Sequence, residues 1–303
     1  MRVFVTGASG FIGGAVASTF ARHGHDVLGL VRSAAKGVAL AACEVEPVIG
    51  AMEEPGTFEE RANACEVLVH CAAEYSARYM ELDRLTTNTL IEGARVARAP
   101  RLFLYTSGVW VYGDTGAAKV DEASPTRPHP LAAQRALHER MVLEQDRDLL
   151  RTLVIRPGCV YGEQGSLTAA WFDSATKNGA ARIVGDGANR WAMIHVHDLA
   201  ELYVLAAESS QRCEVFNAVD RSRFTVLECA RAASSAAGAG GRVEHVSVDA
   251  AKKELGPMAE CLALDQNVDA SKAARRLGWQ PRHGGFADGA ARYFTAWKAA
   301  QSR

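Results

Sequence analysis

The stretch Val3-Phe4-Val5-Thr6-Gly7-Ala8-Ser9-Gly10-Phe11-Ile12-Gly13 runs apolar, breaks at Gly7, and repeats glycine every third residue before continuing as Gly14-Ala15-Val16-Ala17. The apolar run predicts a buried strand over Arg2–Thr6. The residues after the glycines follow a helical period to His23. In a strand–loop–helix of this kind, Gly7 permits the tight turn. Gly10 lets backbone approach a pyrophosphate, and Gly13 lets helix and strand pack closely. The unsatisfied N–H groups and positive dipole end of the helix then face the phosphates. Ser9, Phe11 and Ile12 complete the loop. The expectation is a dinucleotide site.

Working outward, short apolar runs recur at Asp26–Val31, Val45–Ile49, Val67–Cys71, Leu102–Thr106 and Thr152–Arg156. Helical patterns separate them, among them Leu82–Arg98 and Ala133–Gln145. Strands alternating with helices imply an α/β fold, a parallel sheet wound on both faces. After Arg156 the rhythm loosens into turn-rich stretches such as Gly185–Asn189, then Ser234–Gly241, and a helix start at Asp269-Ala-Ser-Lys. The reading is a Rossmann domain over 1–155 plus about 186–218. A smaller substrate-binding region takes 156–185 and 219–303.

The end of the second strand selects the cofactor. Proteins that bind NAD usually place a carboxylate there for the adenosine ribose. Here the chain reads Leu30-Val31-Arg32-Ser33, without one. Arg32 has the fork geometry for a 2′-phosphate, with Ser33 and Lys36 beside it, so NADP is expected over NAD.

The totals fit a protein that handles small molecules. Among 303 residues, 34 are Lys or Arg and 35 Asp or Glu, a net charge of −1 that gives no electrostatic case for nucleic acid or a membrane surface. No apolar run is long enough to span a bilayer, and Met1 leads straight into the first strand, so no signal peptide is expected. The 7 cysteines are scattered, with no Cys-x-x-Cys pair; free thiols in a reducing cytoplasm are expected rather than disulfides or a metal site.

Together the glycine loop, Val69-His70-Cys71-Ala72-Ala73, Asn88, Val111-Tyr112-Gly113, Arg156-Pro157-Gly158-Cys159-Val160-Tyr161-Gly162 and Ile194-His195-Val196-His197-Asp198-Leu199-Ala200 carry a family likeness. The chain resembles the extended short-chain dehydrogenase/reductases, especially the NAD-dependent epimerase/dehydratase group, over essentially its whole length. The resemblance implies an active site in the cleft between the Rossmann domain and the smaller region. It puts Ala72 and Ala73 along the cofactor, Thr106 and Ser107 near the nicotinamide, Pro157 and Val160 in its pocket, and His195 in the segment closing the substrate side. A homodimer through a four-helix contact is also implied.

The same resemblance exposes departures. The family works with a Ser or Thr, a Tyr, and a Lys four residues after the Tyr. Counting along the motifs, these positions hold Gly108, Leu131 and Arg135. Leu131 has no proton to give. Arg135 can still bond a ribose and place fixed positive charge near an oxyanion, but it is a poor proton relay. Ser107, Tyr112 and His195 are the remaining candidates, with Arg135, for catalytic work; Tyr161 and His129 stand nearby in sequence. Where the sugar-nucleotide members carry an Arg before the His motif this chain has Trp191, and where an acidic residue contacts the adenine it has Ala51. Trp171, Phe172, Trp191 and Met193 are candidates to line an apolar pocket.

Three functions fit this reading. The first is an atypical NADP-dependent oxidoreductase acting on a small carbonyl, imine or enone-like substrate with a non-standard proton donor. The second is a non-redox isomerase or cyclase, and the third an NADP-binding regulatory protein.

Overall fold

The computed structural model describes residues 1–74, 76–97 and 99–301. Seven parallel strands form the central sheet: β1 (Arg2–Thr6), β2 (Asp26–Val31), β3 (Glu46–Ile49), β4 (Val67–His70), β5 (Arg101–Thr106), β7 (Leu150–Pro157) and β11 (Glu214–Ala218). Their order across the sheet is β11-β7-β5-β4-β1-β2-β3. The order reverses at β1, so β1 and β4 flank the switch point where doubly wound sheets bind ligands beyond their carboxyl ends.

Side chains alternate between two apolar layers. Val3 and Val5 join α1 (Phe11–Arg22) and α7 (Val196–Glu208) on one face. Phe4 joins α3 (Glu59–Asn63), α4 (Tyr79–Val96) and α5 (Pro130–Leu143) on the other. Helices on both faces explain why the strands read as continuous apolar runs rather than alternating ones. Helix α2 (Ala34–Ala41) lies along β3.

Two helices begin earlier than periodicity suggests. Helix α4 starts at Tyr79 rather than Leu82, and α5 at Pro130 rather than Ala133, with Pro130 in its first turn, where a missing N–H costs nothing. The expected end of α4 at Arg98 lies outside the described residues.

Three two-stranded pairs complete the chain: β8 (Cys159–Tyr161) with β10 (Met193–His195), β9 (Ala181–Val184) with β12 (Val243–Val246), and β6 (Lys119–Val120) with β13 (Asn267–Val268). A separate core packs α6 (Ala169–Asn178), α8 (Val226–Ala236) and α12 (Phe286–Gln301) around Trp171, Phe172 and Phe286. Helices α9 (Val248–Leu255), α10 (Met258–Leu262) and α11 (Ser271–Leu277) lie between. Helix α11 ends at Gly278 with φ +66°, the left-handed conformation that glycine adopts readily. All seven cysteines are unpaired, with only Cys43 and Cys213 exposed. Among the described residues no helix is long and apolar enough to cross a membrane.

Candidate active site

The glycine loop is a cradle that side chains would fill. Gly7 has φ +70°, and a Cβ there would lie 2.7 Å from the Ala72 Cα. A Cβ on Gly13 would fall 2.2 Å from the Gly7 carbonyl oxygen. Gly10 caps α1 without a side-chain bond, so no side chain competes for the N–H groups of the first turn. Ser9 and Gly10 are exposed, and Phe11 and Ile12 half-buried. Thr6 Oγ1 accepts a bond from the Ala72 N–H at 3.3 Å, which ties the start of the loop to the segment after β4. Ala72 and Ala73 therefore run beside the cradle. The residues present fit a dinucleotide pyrophosphate.

At the end of β2 Arg32 is exposed, and its Nη1 lies 3.3 Å from Glu74 Oε2, a carboxylate contributed from the segment after β4. Ser33 caps α2, its Oγ accepting from the Lys36 N–H. The carboxylate that β2 itself lacks is thus present next door, which the strand pattern alone does not reveal.

On the nicotinamide side, β5 ends in Thr106. Its Oγ1 is spent behind the sheet, 2.7 Å from the Tyr203 hydroxyl and 3.3 Å from Cys71 Sγ. Ser107 differs. Its Oγ is buried and has no hydrogen-bond partner among the described residues, while its N–H is held by the Ile155 carbonyl at 2.7 Å. Beside it, a Cβ on Gly108 would meet nothing closer than the Pro157 carbonyl oxygen at 3.8 Å. An orphaned hydroxyl beside the room at Gly108, bounded by buried Pro157, is what a bound nicotinamide or substrate group would complete.

Arg135 reaches the same place from α5. Its Nη1 donates to the Thr106 carbonyl at 2.9 Å, to the Tyr105 hydroxyl at 3.0 Å and to Asp83 Oδ1 at 3.0 Å. Asp83, on α4, is the hub. Tyr105 donates to Oδ2 at 2.8 Å, His138 Nδ1 lies 2.5 Å from Oδ2, and His70 Nε2 lies 3.4 Å from Oδ1. The other nitrogen of His70 is 2.7 Å from Thr6 Oγ1, so the network reaches back to the glycine loop. Burial alone would raise the Asp83 carboxyl's pKa. The surrounding donors, His138 and His70 foremost, outweigh burial and hold it well below the usual carboxylate range. Sequence reasoning passed over Asp83 and His138. Asn88, one of the residues carrying the likeness, is exposed on the outer side of α4.

Tyr112 and His195 are each engaged by neighbouring groups. Tyr112 is buried; its hydroxyl donates to Asn217 Oδ1 at 2.9 Å and accepts from Arg156 Nη1 at 2.7 Å, and burial pushes its pKa up. Tyr161 is likewise consumed, by Asp220 and the Gly284 carbonyl. His195 caps α7, its Nδ1 accepting from the His197 N–H, and its ring stacks on His283 at 3.5 Å between centroids. Burial first, and then the neighbouring His283, drives its pKa down to about 3. Both side chains are thus held by the fold itself, Tyr112 through Asn217 and Arg156 and His195 through the start of α7. Trp171 and Phe172 are buried core, and Trp191 stacks on Trp171 at 4.9 Å.

A Rossmann sheet with a glycine cradle, and a second core folded over its carboxyl edge, defines an extended short-chain dehydrogenase/reductase. The NAD-dependent epimerase/dehydratase family matches residues 3–218, and the chain belongs to that family. A 4-hydroxy-2-methyl-3-oxo-4-farnesyl-3,4-dihydroquinoline-1-oxide ketoreductase from Stigmatella aurantiaca is 30% identical over 241 residues, covering 75% of this chain and 72% of that protein. In structure the chain is similar to a dTDP-glucose 4,6-dehydratase from Streptomyces venezuelae solved with NAD and TYD. The TM-score is 0.84 at 23% identity, over 100% of this chain and 98% of that one. It is also similar to a human epimerase family protein solved with NADPH, with a TM-score of 0.81 at 21% identity, over 97% and 99%. The ketoreductase and the dehydratase are enzymes by name, and membership of the family sets this chain among oxidoreductase-, epimerase- and dehydratase-like proteins.

Proposed function

We propose that the protein is an NADP-dependent oxidoreductase acting on a small carbonyl, imine or enone-like substrate. Residues 1–155 and about 186–218 would hold the dinucleotide, and 156–185 with 219–303 would cover the substrate. The observation that carries the reading is the unpartnered, buried Ser107 hydroxyl beside the space at Gly108, with Arg135 fixed to the Thr106 carbonyl next to it. When bound, the nicotinamide supplies or accepts hydride.

The chain's own residues do the rest. Gly7, Ser9, Gly10, Phe11, Ile12 and Gly13 hold the pyrophosphate. Arg32 and Ser33 face the 2′-phosphate, and Ala72, Ala73, Thr106, Pro157 and Val160 line the remainder. Ser107 orients the substrate oxygen, and Arg135 sets positive charge beside it as negative charge grows there. Leu131 is 43% exposed and gives no proton, so the proton comes from a water admitted at Gly108, directly or relayed by Ser107, which regains from that water the proton it gives. The relative named as a ketoreductase supports a carbonyl substrate, and the human neighbour's NADPH supports the cofactor. Helices α4 and α5 pack together and leave Leu137 46% exposed, which suits a homodimer formed through them.

The deciding experiment titrates NADPH and NADH into the protein and into Arg32→Asp, then supplies NADPH with a panel of β-keto esters, imines and enones. Tighter NADPH binding that Arg32→Asp shifts toward NADH, with stoichiometric NADPH consumption, is expected. Unchanged discrimination would sink the Arg32 assignment. Turnover without net consumption would make the protein an isomerase or cyclase, and NADPH binding without turnover a regulator.

A further inference from the structure

A cavity of about 270 Å³ lies outside the dinucleotide cradle, beyond the edge strand β11. It is bounded by the Asp220–Arg223 loop after β11, by Arg190–Met193 leading into β10, and by the segment that opens α11. Its wall mixes polar side chains with an apolar portion formed by Val219, Met193 and Trp279. None of the glycine-loop residues, Ser107 or Arg135 touches it. The Ala192 carbonyl accepts from the Cys159 N–H at 2.7 Å, and the Met193 carbonyl accepts from the Asp220 N–H at 2.7 Å.

The charges around the cavity are unevenly spent. Lys119 pairs with Asp269, and Arg190 with Asp265. Asp220 directs Oδ2 at the Tyr161 hydroxyl at 3.0 Å and Oδ1 at the Ser222 N–H and hydroxyl at 2.8 and 2.6 Å, so both its oxygens already accept. Arg221 and Arg223 remain. Both are exposed, both line the cavity, and neither has an acidic partner among the described residues. Two uncommitted guanidinia beside the apolar part of the wall match an anionic oxygen group on a partly apolar body.

We propose that this cavity is a second binding site, for a small organic anion such as a phosphate ester or carboxylate carried on an apolar frame. The anion meets Arg221 and Arg223, and the frame packs on Trp279 and Met193. The inference stands independently of the dinucleotide reading.

Calorimetric titration with phenyl phosphate, run with and without NADPH, tests it. Saturable binding with a dissociation constant on the order of 1 mM or tighter is expected, unaffected by NADPH. Arg221→Glu/Arg223→Glu, two exposed surface changes, should weaken it about tenfold or more, and Ala274→Phe, which fills the cavity, should do the same. Phenol and inorganic phosphate should each bind more weakly than the ester. The proposal is overturned if phenyl phosphate does not bind, if NADPH displaces it, if the charge reversal leaves affinity unchanged, or if phenol binds as well. Should NADPH itself fail to bind, only the dinucleotide reading falls, because the arginine and Ala274 variants still decide this one.

Discussion

One turn apart on α5, Arg135 and Glu139 each form a buried ion pair, and the two pairs are built differently. Glu139 meets one partner. Arg156 donates from Nε to both oxygens at 3.0 and 3.1 Å and from Nη2 to Oε2 at 2.6 Å, and its remaining Nη1 holds Tyr112. Asp83 instead gathers four groups from three elements, His70 on β4, Tyr105 on β5, and Arg135 and His138 on α5. The first pair is closed on itself and locks β7 to α5. The second is a junction that aims Arg135 at the end of β5, where a ligand is expected. A buried pair can therefore serve as a clamp or as a positioning device, and the number of elements converging on the carboxylate distinguishes them.

The clamp is the place to look for the largest effect. Arg156→Met should cost about 3–5 kcal/mol in urea unfolding at pH 7, because it strands the Glu139 carboxylate in the interior. Arg156→Met/Glu139→Leu should recover most of that loss, since an apolar pair of similar volume replaces a desolvated one. A double variant as unstable as the single would break the clamp interpretation.

Asp83→Asn tests the junction. About 3 kcal/mol should go at pH 7, with Arg135 left without its counter-charge. The pH sign follows from the lowered carboxyl. The folded pKa lies below the ~3.9 of an unfolded aspartate, so the stabilisation is complete above that value and is lost as pH falls toward the folded one. The parent should lose stability on acidification below about pH 4 more steeply than the variant. The variant should also bind NADPH more weakly than Arg156→Met/Glu139→Leu does. Equal affinities would erase the difference between clamp and junction.

The same contrast shows what the sequence discloses. The glycine cradle was legible because its requirement is local: Gly7, Gly10 and Gly13 each sit where a Cβ would strike backbone of the same loop or of its neighbour. The strands were legible because both sheet faces are covered. Asp83 was not, because it reads as an ordinary charge on a helix. The signal that marks it is register. It shares a face of α4 with Thr87, Leu90, Ile91 and Ala94, all buried, so a carboxylate stands where the helix faces the core. Its partners come from residues up to 55 positions away, and no local pattern predicts that meeting. The partners of Tyr112 and His195 were hidden for a related reason. Their positions beside strand ends were read well enough, but the bonds that consume them belong to Asn217, Arg156 and the start of α7.

His195 sharpens the comparison from another side, as a buried titratable group without a carboxylate. Its lowered pKa, about 3 against ~6.5 unfolded, means the unfolded chain takes up a proton that the fold refuses. That contribution is complete above pH ~6.5 and is lost as pH falls, at about 1.4 kcal/mol per unit. His195→Asn keeps a good cap for α7 but removes the titration. The stability difference between pH 7 and pH 5 should shrink by about 2 kcal/mol relative to the parent. An unchanged difference would show that His195 is already neutralised by another route.

The third arginine–carboxylate pair, Arg32 with Glu74, is the exposed counterpart and should respond least. Its arginine side chain is 62% accessible, so water already solvates what the interior strands in the other two. Glu74→Gln should leave stability within about 1 kcal/mol of the parent, as surface pairs do. Its effect belongs to binding. With the carboxylate gone, Arg32 loses a competitor for a 2′-phosphate, and NADPH affinity should rise about two- to fivefold while NADH affinity stays level or falls. A rise for both cofactors would mean that Glu74 acts by general repulsion. A fall for NADH alone would mean instead that Glu74 is the ribose-binding carboxylate that β2 does not provide, reached from β4. Fluorescence titration of both cofactors against the one variant separates these outcomes, and with them the choice between NADP and NAD.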